Sequence, residues 1–164
     1  MKHSVSGHTA ASPRLSPDTD YYSWLNDQAG ALRSVWHGRI DYEALAEEVE
    51  ATAAVLKRAL TGELEVLLLH LLKWAWQPEK RTASWEASIG NARDHISDLL
   101  TDSPSLKTHL EESLIRAYPR ARRTAGAEIG WTRREWETRL PASCPWQLAD
   151  ILDDDFRPEV STTA

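Results

Sequence analysis

The stretch Leu64–Trp76, LEVLLLHLLKWAW, decides the fold. On a helical wheel of about 100° per residue, Leu60, Leu64, Leu67, Leu68, Leu71, Leu72, Trp74 and Ala75 fill close to half the circumference. Glu65, His70, Lys73 and Gln77 share the other side with Val66 and Leu69. A helix this apolar is buried on most of its sides, so the stretch is expected at the centre of a helical bundle. It is not a membrane span. Glu65, His70 and Lys73 interrupt it, and a span needs roughly 20 mostly apolar residues.

Working outward, helical signals recur and strand signals are nearly absent. No period-two alternation is sustained, and no Asn-Gly or Asp-Gly turn separates apolar runs. A first helix is predicted from Pro17–Asp18, carrying Tyr21, Trp24, Leu25, Gln28 and Leu32, with Gly38 as its stop. Asp41 reads as the N-cap of a second helix, with Tyr42, Leu45, Val49, Ala53, Leu56 and Leu60 on one face. Gly62 is expected to break or bend it before the central helix, which ends ahead of Pro78. Thr82 or Ser84 opens a fourth helix, ending by Asp102. Ser103-Pro104 starts a fifth, kinked at Pro119 and stopped by Gly130. Beyond Gly130 the pattern weakens, apart from a short helix within Pro145–Leu152. The prediction is an all-α, five- or six-helix bundle over residues 17–159, as a single domain with an irregular C-terminal segment. Residues 1–16 and 160–164 read as disordered tails.

Bulk composition narrows the function classes. The chain has 164 residues and a net charge of −6, which disfavours nonspecific nucleic-acid binding. Cys144 is the only cysteine. It makes neither an internal disulfide nor a multi-cysteine zinc site, which fits a reducing, cytoplasmic setting. Eight tryptophans stand beside one phenylalanine and one methionine.

Several strings carry a family resemblance together. They are Asp20-Tyr21-Tyr22 with Trp24; Leu45-Ala46-Glu47-Glu48-Val49-Glu50; Leu64 through Trp74; Gln77-Pro78; Ser84-Trp85; Ser103-Pro104-Ser105-Leu106; Cys144-Pro145-Trp146; and Asp155-Phe156 with Pro158. Their order and spacing resemble the bacterial proteins grouped as domain-of-unknown-function family twenty-nine, over roughly Asp18 to Pro158. The resemblance implies a compact all-helical domain and brings no activity, substrate or catalytic residue. Thr52–Val55 departs from the family pattern, where a more turn-like, Gly-containing string is expected.

Three candidate sites follow from residue chemistry. Glu47 and Glu50 lie on one helix edge and His70 on the next predicted helix. Antiparallel packing would bring the three together, and carboxylates with an imidazole suit Zn, Fe or Mn, or general acid–base work. The plain alternative is a His70 ring N–H bonded to a glutamate at the core edge. Arg116, Arg120, Arg122, Arg123, Arg133, Arg134 and Arg139 interleave with Trp131 and Trp136, a composition that binds single-stranded nucleic acid by phosphate contact and stacking. The alternative is a solvated or internally docked face. Trp24, Trp36, Trp131, Trp136 and Trp146 exceed what a modest core holds, which points to a protein partner or homodimer, or to capping of the bundle ends. Cys144 reads as a packed structural residue. No phosphate-binding loop, dinucleotide fingerprint, His-Glu-x-x-His string or nucleophile elbow is present. The leading expectation is a cytoplasmic, non-catalytic interaction protein with no required cofactor. A metal-binding protein or enzyme using Glu47, Glu50 and His70 is the alternative.

Overall fold

A computed structural model describes residues 15–34 and 41–159. Most of both expected tails, the proposed stop at Gly38 and Trp36 lie outside them. Among the described residues the elements are helical: α1 Tyr21–Arg33, α2 Tyr42–Trp76, α3 Ala83–Asp102, α4 Leu110–Ile129, α5 Arg133–Arg139 and α6 Leu148–Leu152. Two 3-10 turns, Pro78–Lys80 and Pro104–His109, precede α3 and α4.

The largest departure from expectation is α2. The predicted second and third helices are one helix of 35 residues, about 52 Å long at 1.5 Å per residue. Gly62 sits inside it with nothing within 4 Å of the position a Cβ would take. Glycine costs a helix roughly 1 kcal/mol. Burial of Leu60, Leu64, Leu67, Leu68, Leu71 and Leu72 on the same helix outweighs that, at about 1.5–3 kcal/mol per fully buried side chain. Asp41 caps the helix as expected, accepting from the Ala44 N–H at 3.0 Å.

Ion pairs and a ring contact mark how α3 and α4 lie against α2. Lys57 pairs with Glu112, Glu65 with Arg120, and Lys73 with Glu128. Each pair is separated by 55 positions, so α4 runs parallel to α2 in a fixed register. The sign alternates down the row, and a slip of one ion pair sets like charges opposite each other. In contrast, Glu63 meets His95, and Lys73 lies over the Trp85 ring, so α3 runs antiparallel to α2. The core between them joins the α2 leucines to Ile89 and Ile96 of α3, and to Leu110, Leu114, Ala117, Ala121 and Ala125 of α4.

Several boundaries move for identifiable reasons. The N-cap of α1 is Asp20, not Pro17–Asp18. The Asp20 carboxylate accepts from Ser23 N–H, and also from Ser105 N–H and Oγ across the molecule. Ser103 does not cap the helix after it. Its Oγ accepts from the Tyr22 N–H, so Pro104 begins a 3-10 turn and α4 waits until Leu110. α4 continues through Pro119 to Gly130, whose φ of 88° requires glycine. There the Gly130 N–H meets Ala127 O and the Trp131 N–H meets Gly126 O, the paired bonds of a left-handed helix stop. α5 arises where a weak pattern was expected. Thr132 and Glu135 form a capping box, with the Thr132 N–H donating to Glu135 at 2.8 Å.

Candidate functional site

The proposed metal ligands do not come together. Their convergence required two helices, and Glu47, Glu50 and His70 all lie on α2. Glu50 and His70 are separated by about 30 Å along the helix. Glu50 is paired with Arg33 of α1, which holds its carboxyl below the usual range. His70 Nδ1 lies 2.9 Å from the Val66 carbonyl one turn back, so its partner is its own helix and not a glutamate. Among the described residues no group of three or more His, Cys, Asp or Glu could hold a metal ion.

In the fifth-helix region Arg122, Trp131 and Trp136 are half-buried, while Arg116, Arg120, Arg123, Arg133, Arg134 and Arg139 are exposed. Arg122 donates to the carbonyls of Glu137 and Leu140 and lies over the Trp136 ring at 5.0 Å. Arg139 lies over Trp131 at 4.9 Å, and Arg133 pairs with Glu137. Tyr118 donates to the Pro141 carbonyl. These contacts fasten the chain after Gly130 onto α4, leaving neither Trp131 nor Trp136 as an open stacking platform. Trp146 is likewise engaged, packed between Trp76 and Phe156. The described tryptophans therefore cap and pin elements, and the apolar surface exposed to solvent lies elsewhere. Cys144 is partly buried; desolvation pushes its thiol pKa up, which suits a packed residue.

What the structure assembles instead is a cleft of about 470 Å³ between α2 and α4. Lys57, Arg58, Glu112, Ser113, Arg116 and Arg120 line it. The parallel register of α2 and α4 brings Lys57 and Arg58 to Arg116 and Arg120. Glu112 sits 2.6 Å from Arg116 and 3.5 Å from Lys57, and these cations, Arg116 first, hold its carboxyl below the usual range. Arg120 reaches Glu65 only at 3.9 Å, and Arg58 has no ion pair among the described residues. The row of charges on α2 was the signal for this cleft; its complement fifty-five positions on becomes visible only once the helices are known to run parallel.

A second surface lies on the outside of α2. Thr52, Val55, Ala59, Gly62, Val66 and Leu69 recur at alternating steps of three and four. Val55 is 52% exposed and Val66 41%. Thr52, Ala59 and Gly62 are exposed and Leu69 is half-buried. No charged residue occupies these six positions.

The family described as Domain of unknown function DUF29 matches residues 18–157. The chain belongs to this family. A crystal structure of an alpha-helical protein of unknown function from Rhodospirillum rubrum is similar in fold, with a TM-score of 0.64 at 20% identity. The match covers 87% of this chain and 92% of that one. No curated protein matches. At this identity the likeness speaks for the fold alone, so the DUF29 helices are the shared feature and function is argued from surfaces. No helix among the described residues is long and apolar enough to cross a membrane.

Proposed function

We propose that this DUF29 protein is a non-catalytic interaction protein of the cytoplasm that pairs with a second copy of itself through the outer face of α2. The observation that carries this reading is the uncharged three-and-four repeat over Thr52–Leu69. That spacing is the seam of helices that pack side by side, and on this molecule it faces solvent.

The occupant follows from self-complementarity. A two-fold axis between Ala59 and Gly62 sets two α2 helices antiparallel. Val55 then meets Val66 of the second copy, Ala59 meets Gly62, and Thr52 meets Leu69. The small pair at the centre lets the helix axes approach closely. The same symmetry sets Arg58, which has no ion pair among the described residues, beside the second copy's Glu65, and does so twice. One helix pair makes a small interface, below the roughly 1,200 Å² of standard complexes, so association is weak and concentration-dependent. The single cysteine fits a reducing compartment.

Cysteine cross-linking in a Cys144→Ser background tests both pairing and direction. Val55→Cys and Val66→Cys chains, distinguished by mass, are expected to form a mixed disulfide. Val55→Cys alone is expected to cross-link poorly, because antiparallel packing separates its two copies. Light scattering should show a dimer that Val66→Glu returns to monomer without loss of helical signal. A monomer at every practical concentration, or Val55→Cys homodimers as abundant as the mixed species, would overturn the proposal.

A further inference from the structure

We infer that the cleft between α2 and α4 is a binding site for a small polyphosphate-bearing molecule. The inference does not depend on self-association. Lys57, Thr61 and Ser113 line it on the α4 side of α2; Arg58 and Gly62 line it too and border the outer face of α2, so the two sites are separated by titrating at a dilution where the chain is monomeric.

Three observations point to an anion of this class. First, four cations line the cleft and one carboxylate joins them, on a chain whose net charge is −6. Concentrating positive charge in a concave site against the sign of the molecule draws anions there. Second, the cations are incompletely satisfied. Glu112 is shared by Lys57 and Arg116, Arg120 stands 3.9 Å from Glu65, and Arg58 has no ion pair among the described residues. Third, Ser113 is 3% exposed, lines the cleft, and makes no side-chain hydrogen bond among the described residues. Its Oγ is not one of the enclosed polar atoms that lack a partner, so it reaches the cleft and can donate to a group that enters there.

Size and spacing favour several phosphates over one. A volume of about 470 Å³ falls within the range of small-molecule sites. Arg116 and Arg120 are one helical turn apart, about 6 Å, a span that suits the two terminal phosphates of a short chain rather than adjacent ones. Guanidinium groups suit phosphate oxygens because their paired N–H donors match the oxygen geometry. Glu112 contributes by holding Lys57 and Arg116 over the cleft, and a strongly charged anion displaces it from them.

The test is titration calorimetry on the full chain with inorganic triphosphate at low salt. One saturable site per chain is expected, weakened by added salt. Arg116→Gln with Arg120→Gln should reduce affinity at least about tenfold, since each removes a charge-assisted contact. Both side chains are mostly exposed, so the fold should survive, and circular dichroism checks that it does. Ser113→Ala should weaken binding several-fold. Arg133→Gln with Arg134→Gln, away from the cleft, should leave it unchanged. Absence of a saturable site overturns the inference, as does an equal loss in both double variants, which would mean a general attraction to positive surface.

Discussion

The guanidinium of Arg93 faces three carbonyl oxygens and no carboxylate. Its Nε donates to Ile151 at 3.0 Å, Nη1 to Asp154 at 2.9 Å and Nη2 to Phe156 at 3.0 Å. Burial pushes its pKa below the ordinary arginine value, and the carbonyls supply what water would. One side chain on α3 thereby holds the backbone from α6 to Phe156. Arg93→Lys keeps the charge but loses the planar fork. It is expected to cost about 2–3 kcal/mol in denaturant unfolding and to raise hydrogen exchange selectively over residues 151–158. An unchanged exchange pattern there would count against this role. His70 provides the contrast. Its bond goes to the Val66 carbonyl of its own helix, so His70→Ala should shift stability by under about 0.5 kcal/mol. Had it served a buried glutamate, as its place in the sequence suggests, the loss would be several times larger.

Glycines separate the helices by what surrounds them. At Gly62 a methyl group meets open space, so Gly62→Ala should stabilise the monomer by about 0.5–1 kcal/mol through backbone entropy alone. Gly126 is the reverse: a Cβ there lies 2.5 Å from the Trp136 Cβ and 2.6 Å from its Cδ1. Gly126→Ala must push α5 off α4, with an expected cost of about 1–3 kcal/mol. Thermal unfolding of both variants, at a dilution where self-association is absent, should move in opposite directions. This pair also explains which elements were legible in the sequence. The all-helical class, the cap at Asp41, the span of α3 and the stop at Gly130 follow from local rules that tertiary packing leaves intact. The break at Gly62 failed because leucine burial along one face exceeds a glycine's local cost. α5 is less legible because its stability rests on Trp136 against Gly126, although the Thr132–Glu135 spacing marks its start.

At the scale of the whole molecule, the candidate sites depended on topology that residue patterns do not contain. The Glu47–Glu50–His70 cluster assumed a turn between two helices, and a continuous α2 moves its members apart. The α2–α4 cleft was hidden in the opposite way, since Lys57 and Arg120 are remote in sequence and meet only through parallel packing. The same long-range logic governs acid stability. Glu86 is bound by Arg157 of the C-terminal segment, which holds its carboxyl below the usual range. Asp20 is pushed up by burial, but its hydrogen bonds from Ser23 and Ser105 outweigh that and leave it lowered. For both groups the folded pKa lies under the unfolded values of about 4, so the folded state binds fewer protons between the two. Their stabilisation is therefore complete above the unfolded pKa and lost as pH falls through the folded one. The melting temperature should hold near neutrality and drop below about pH 4. Asp20→Asn separates the charge from the cap, because an amide oxygen still accepts from Ser23 but not from both Ser105 donors as well. Its melting temperature should lie below wild type at pH 7, and the gap should close as acid protonates Asp20 in the wild-type chain. A gap that persists undiminished at pH 2 would mean that the Asp20 charge does not tie α1 to the turn before α4.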